Sequence, residues 1–534
     1  MNSRLTIIVF FCVAIAGGCR PGLDGIKKKC SNAGHLPHIR PDYTAITIPP
    51  NIAPLNFSLK DSVRNAVAEI TSVYGSPIVV RSTKGGMRIN AASWKKLLMK
   101  NTGNPLYITV YARTKQGGWQ RYETIKNGIA AEPIDRYCTY RLLNFQYRYW
   151  KDLRMCQRDL TSFAQTTFLN SLNYTKNNMR NVTRTDARTS ATRPSPENNT
   201  EDDPFRCVNC HLPVNNDPER FTLQLRSNAY GAETLIGDGD SITKVSSRFG
   251  QAAWHPGGRI IAFSVYDVKQ CFHTARRQVI DVYDKTSRIV IYDIAERKII
   301  PVPQFNRQNV LEGWPAWSPD GSYLYYCGAP VPWNDYSGDP PVHFNKTRYS
   351  LLRISYDPVS RSWGTVDTVL STMETGLSIA QPRLSPDNRF CLFCMQNYGP
   401  YAYIDASSDL YLMDLATRRY RRLQINSEYN ESWHSWSSDG RWILFSSRRD
   451  GGILTRLYIC HIDSTGIEAK PFILPQRDPR FYDAFLKCYN VAELATAPVR
   501  FSERKLLRAI KETPAVSVPI PSKAEVPPIG ETVQ

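Results

Sequence analysis

Four stretches of this 534-residue chain align with one another without gaps, and they restrict its fold more than any other feature. They are Ala253-Trp-His-Pro-Gly-Gly-Arg-Ile-Ile-Ala-Phe-Ser, Ala316-Trp-Ser-Pro-Asp-Gly-Ser-Tyr-Leu-Tyr-Tyr-Cys, Arg383-Leu-Ser-Pro-Asp-Asn-Arg-Phe-Cys-Leu-Phe-Cys and Ser435-Trp-Ser-Ser-Asp-Gly-Arg-Trp-Ile-Leu-Phe-Ser. Each reads as strand, tight turn, strand. The Pro-Asp-Gly core supplies a preset φ, a side chain that caps its own turn, and a residue free to take φ > 0. A further apolar strand follows each copy, as in Arg288-Ile-Val-Ile-Tyr-Asp and Asp409-Leu-Tyr-Leu-Met-Asp, and then a charged outer strand such as Arg418-Arg-Tyr-Arg-Arg-Leu-Gln.

Four strands per repeat, at intervals of 52 to 67 residues, is the layout of a propeller blade, in which repetition around an axis hides the sheet edges. The expected fold is therefore mainly β: a β-propeller of about six four-stranded blades, four of them clear in sequence, preceded by a small β-sandwich-like domain. The Trp-Ser-Pro-Asp-Gly copies, with an aromatic-rich strand and a Tyr-Asp strand after them, resemble the WD-like repeats of TolB-type propellers of bacterial envelopes. The resemblance covers roughly Phe249 to Pro475. It implies a fold and an envelope setting, whereas propellers host many activities.

The rest of the chain divides around the repeats, which are assigned to 248–480. Residues 45–133 alternate in the strand period, as in Leu106-Tyr-Ile-Thr-Val-Tyr-Ala, and form the small β domain. Degenerate blades are expected over 134–170 and 204–247, and a closing segment over 481–511. The polar, basic stretch 19–44 reads as a tether, 171–203 as a flexible linker poor in large apolar residues, and 512–534 as a disordered tail.

The first eighteen residues run from Arg4 through an apolar stretch to Ala16-Gly17-Gly18-Cys19, the order of an export signal. Cys19 after small residues resembles a bacterial lipoprotein box, although Ala16 stands where that box usually carries Leu. The resemblance implies acylation of Cys19 and a lipid-anchored protein in the cell envelope, on the outer membrane and facing the periplasm; plain secretion with Cys19 as a structural cysteine is the alternative. With the signal and anchor set aside, nine of the 13 cysteines lie outside the motif described next, so at least one is expected unpaired. The formal charge of +19 comes from scattered Lys and Arg without a nucleic-acid motif, and is read as a solvated surface with no nucleic-acid partner.

One motif carries chemistry. Cys207-Val-Asn-Cys210-His211 is a C-x-x-C-H, the attachment sequence of c-type haem: two thiols add across the vinyl groups of one haem, and the next histidine is then held beneath the iron. Chance produces such a string on the order of 0.005 times in a chain of this composition. A local disulfide, or half of a zinc site with Cys391 and Cys394, remain as structural alternatives. The expected cofactor is one covalent haem c on Cys207, Cys210 and His211, with His273, beside Cys271 in a long insertion, as the distal candidate. His255, His434 and His461 sit at repeat positions and read as structural, and Met155 and Met395 as core. Arg220 and Arg226 follow the motif and could neutralise a propionate, while Gly-Asp238-Gly-Asp240 is too short for a calcium loop.

The functional expectation is electron transfer or haem-based sensing, with a redox or envelope protein as partner. The alternative is a TolB-like platform for protein or polysaccharide, with haem absent or structural. Hydrolase chemistry has little to stand on, since G-x-S-x-G is missing, although propeller loops can build sites that leave no motif.

Overall fold

The repeated turns close through their own side chains. In the computed structural model, Ser318 Oγ donates to Asp320 Oδ1 at 2.5 Å and accepts the Tyr323 N–H at 2.9 Å, while Gly321 takes φ +73°. The same exchange recurs at Ser385, Asp387 and Phe390, and at Ser437, Asp439 and Trp442. His255 replaces the serine in the first copy, and its Nδ1 accepts the Gly257 N–H at 3.0 Å. The structure describes residues 22–60, 63, 65–82, 86–144, 152–174, 207–227, 231–273, 280–305, 307–333 and 341–520, the side chain of residue 210 excepted. The signal segment, Cys19, 175–203 of the expected linker and the tail beyond 520 lie outside those residues.

Six sheets follow one another along the chain and form the blades. Blades three to six hold the repeats: Phe249–Trp254 to Lys298–Ile300, Val310–Trp317 to Ser362–Leu370, Ser378–Leu384 to Tyr420–Arg422, and Glu431–Trp436 to Phe472–Ile473. The second blade runs Cys207–Val214, Asp217–Ser227, Gly231–Asp238 and Ser241–Ser246. The first takes Tyr137–Asn144, Arg154–Asp159 and Gln165–Asn170 from one part of the chain and its innermost strand, Lys487–Ala495, from another. Each innermost strand packs on the next, and Lys487–Ala495 contacts both the second and the sixth, so the ring closes. Closure removes the sheet edges that an open stack would leave.

Between blades the side chains interdigitate. Trp317 of the fourth blade meets His255 edge-on at 4.7 Å, and Trp436 Nε1 donates to the Arg383 carbonyl of the preceding blade at 3.1 Å. Cys327, Cys394, Ser264 and Ser446, which share one repeat position, are all fully buried, in keeping with a slot for a small side chain. Among the described residues, Cys30, Cys138, Cys156, Cys207, Cys327, Cys391, Cys394, Cys460 and Cys488 are free thiols.

The N-terminal region is a seven-stranded sheet with a three-stranded sheet and the helix Ala91–Lys100, whose Trp94, Leu97 and Leu98 are buried in the same core. The second layer is thus part sheet, part helix. Two expectations need correction. The tether is folded: Leu23–Lys29 is a helix, Cys30–Asn32 pairs with Trp119–Arg121, and Tyr43 is completely buried. Its buried apolar residues, Ile26, Ile39 and Tyr43, are few and widely spaced, which hid the burial in a polar stretch. The tail is ordered at its start as well: Val516–Ser517 adds a parallel strand to the second blade, and Val518 is buried there. No described helix is long and apolar enough to cross a membrane.

Candidate functional site

The C-x-x-C-H motif forms the innermost strand of the second blade, so its neighbours come from the propeller ring. A regular strand would set residues three apart on opposite faces. Here pairing jumps from Asn209↔Gln224 to Leu212↔Thr222, which leaves Cys210 and His211 together opposite a single residue. This is a β-bulge, and it breaks the alternation within the motif. The same irregularity recurs in the innermost strands of the other blades, at 313/316, 380/383 and 432/435, at 249/252 in the third, and opposite Thr139/Arg141 in the first. Trp314, Gln381, Trp433 and Val491 occupy the register position of Cys210, all at positive φ.

His211 lies between the first two blades. Its ring stacks on Phe221 at 5.0 Å and 28°, and Phe168 meets it edge-on at 5.2 Å. The stack is tight: a Cβ on Gly237 would lie 2.2 Å from the Phe221 ring. Burial pushes the imidazole pKa down to about 4, so the ring is neutral. Nδ1 stands 3.3 Å from Thr139 Oγ1, whereas Nε2 is buried without a hydrogen-bond partner among the described residues.

His434 is the internal control. It occupies the matching position in the sixth blade, is as deeply buried, and burial pushes it down to about 3. Both of its nitrogens are engaged, Nε2 with the Leu392 carbonyl at 3.0 Å and Nδ1 beside Cys394 Sγ at 3.8 Å. His434 is thereby accounted for as structure, and His211 only in part.

These residues fit a haem in their donor chemistry. Iron takes the lone pair of a neutral imidazole whose other nitrogen is anchored, and with Nδ1–H donating to Thr139 that lone pair is on Nε2. Cys207 is a free, half-buried thiol, 3.9 Å from Arg141 Nη1. Arg141 also donates to the Val208 carbonyl at 3.2 Å, which ties the first blade to the motif. Among the described residues, which do not include the Cys210 side chain, no group of three His, Cys, Asp or Glu side chains is placed to hold a metal ion. Cys391 and Cys394 are both buried in the fifth blade.

The remaining sequence candidates are dispersed. His273 is not gathered with the motif: its Nε2 lies 2.6 Å from Asp281 Oδ2, and that carboxylate also accepts the Tyr398 hydroxyl of the fifth blade at 2.7 Å. Its place at the tip of the long third-blade hairpin, invisible in sequence, gives it those neighbours. Arg220 is paired with Asp238 at 2.9 Å, and Arg226 lies over the Tyr266 ring at 5.9 Å. Asp240 is exposed, 3.5 Å from Lys505. Met155 and Met395 are core. Sequence reasoning missed Thr139, Arg141, Phe168 and Phe221; only an alignment of the innermost strands, His211 on His434, could have drawn attention to the bulge.

The ring also encloses a cavity of about 360 Å³ at the turn end of the innermost strands, with contributions from every blade. Its charged feature is Arg383, 2.5 Å from Glu493. Burial pushes the Glu493 carboxyl up, and Arg383 opposes this.

No family model matches the chain, and no curated protein matches it. Solved structures similar to it include Kuenenia stuttgartiensis hydrazine synthase, at 15% identity over 48% of this chain and 64% of that one, TM-score 0.28. The Dos1 propeller is 13% identical over 51% of this chain and 62% of that one, TM-score 0.31. Oligogalacturonate lyase from Vibrio parahaemolyticus is 8% identical over 61% and 92%, TM-score 0.29. The chain spans less than two thirds of the first two. The propeller assignment stands on the six sheets and their closure.

Proposed function

We propose that this is an exported propeller protein of the TolB type, lipid-anchored through Cys19 in the cell envelope, that carries one covalent haem c on Cys207, Cys210 and His211. The observation that carries the reading is His211 itself: a neutral, buried imidazole with one nitrogen anchored and the other unpartnered among the described residues, next to two cysteines at the spacing that haem attachment needs. The haem would supply reversible one-electron chemistry or a ligand-binding iron. The chain supplies the proximal nitrogen, fixes its orientation through Thr139, and keeps water from the ring with Phe168 and Phe221. Electron transfer or haem-based sensing follows, with a redox or envelope protein as partner.

The test is expression alongside the cytochrome c maturation apparatus, followed by a reduced-minus-oxidised spectrum and a pyridine haemochrome assay. A covalent c-type spectrum, abolished by Cys207→Ala with Cys210→Ala, is expected. Colourless protein would overturn the haem reading. A second reading, a platform for a protein or polysaccharide partner, is supported by an aromatic cluster shared by blades four to six.

A further inference from the structure

The cluster lies at the bulges of blades four to six. Four rings form a closed circuit: Trp314 to Tyr401 at 6.4 Å, Tyr401 to Tyr403 at 6.0 Å, Tyr403 to Trp433 at 5.2 Å, and Trp433 back to Trp314 at 5.3 Å. Three of the contacts are edge-to-face and one, Tyr403 on Trp433, is stacked at 27°. Trp314 and Trp433 reach the circuit from left-handed backbone, φ 55° and 44°, which is uncommon for bulky side chains. Packing alone explains an aromatic cluster, yet it does not explain the polar atoms left in this one. Gln381, 4% exposed, spends its Oε1 on the Trp433 N–H at 2.9 Å, and its Nε2 has no partner among the described residues. Trp433 Nε1 is buried and likewise has no partner among the described residues.

Both orphaned groups are donors, so a cation, the other common guest of an aromatic cluster, is disfavoured. What suits aromatic faces together with N–H donors is a ligand with an apolar face and neutral oxygen acceptors. We infer that the Trp314–Tyr401–Tyr403–Trp433 circuit, with Gln381, is a binding site for a pyranose unit of a neutral polysaccharide, one sugar face stacked on an indole and its hydroxyl oxygens taking the Gln381 and Trp433 N–H groups. Both N–H groups are buried while Trp433 as a whole is half-buried, so uptake requires the Trp433 side chain to move. The inference deepens the platform reading and is independent of haem.

Titration of the full-length protein with neutral oligosaccharides (xylo-, manno-, cello- and chito-hexaose), followed by tryptophan fluorescence and calorimetry, tests it. Saturable binding of at least one is expected, weakened tenfold or more by Trp433→Ala and by Gln381→Leu, with Trp363→Phe as a control that leaves it unchanged. The milder Trp433→Phe retains part of the affinity and guards against misfolding. No binding to any of them at millimolar concentration would overturn the site. Binding that survives Trp433→Ala and Gln381→Leu would overturn it as well, while leaving the platform reading intact.

Discussion

His211 and Thr139 are 72 residues apart in sequence and meet only because the first two blades pack side by side. Thr139→Val strands a second nitrogen of a buried ring, which should destabilise the protein by about 1–3 kcal/mol in urea titrations, with Thr139→Ser restoring most of it. In haem-loaded protein the same Val substitution should raise the midpoint potential, because an imidazole without its Nδ1 acceptor donates less charge to iron. Potentiometric titration of the three proteins reads this directly. Histidine burial also sets a pH signature. His434, at about 3 when folded against an ordinary value near 6.5, takes up a proton on unfolding across that window, so its contribution to stability falls as pH falls. Asp284 runs the other way: burial raises it to about 7, the folded carboxyl keeps a proton that the unfolded one has lost, and stability falls as pH rises from 3.8 to 7. His434→Gln should therefore flatten the acid slope of stability, and Asp284→Asn should steepen it, each by about 1.4 kcal/mol per pH unit between pH 4.5 and 6. Urea unfolding at three pH values checks both signs.

At the scale of elements, legibility followed locality. The Ser-Pro-Asp-Gly turns close within six residues, so their chemistry is written in the sequence next to the strands they join. The innermost strand of the first blade is written some 340 residues from its partner, and no local pattern announces that Tyr137–Asn144 awaits Lys487–Ala495. The bulge is equally silent, because it shows only as a skipped pairing. The Arg418 to Arg422 stretch, conspicuous in sequence, is largely paired: Arg418 with Asp367 at 2.7 Å, Arg421 with Glu468, and Arg422 with Asp409 at 2.7 Å. Two truncations separate the roles of the C-terminal elements. Ending the chain at Thr513 removes the added strand and buried Val518, an expected loss of about 2–3 kcal/mol with cooperative unfolding kept. Ending it at Phe485 removes the closing strand, and the thermal transition should broaden or vanish.

For the whole molecule, the two functional readings use different parts of one ring. The haem reading depends on blades one and two, the sugar reading on blades four to six, and both depend on the bulges that interrupt every innermost strand. Repetition made the architecture readable from one blade, since each copy repeats the same turn and the same small-residue slot. It concealed the sites for the same reason: function sits where equivalent positions differ, as Cys210 differs from Trp314, Gln381, Trp433 and Val491.

The split first blade also has a consequence for biogenesis. A chain that emerges amino-terminus first exposes the bare edge of Tyr137–Asn144 to its surroundings until almost the last strand has been delivered. Throughout that interval any extended segment, its own or a neighbour's, can dock there in place of the rightful partner. Escorting this one edge is therefore the task that a holding chaperone would have to perform for this protein.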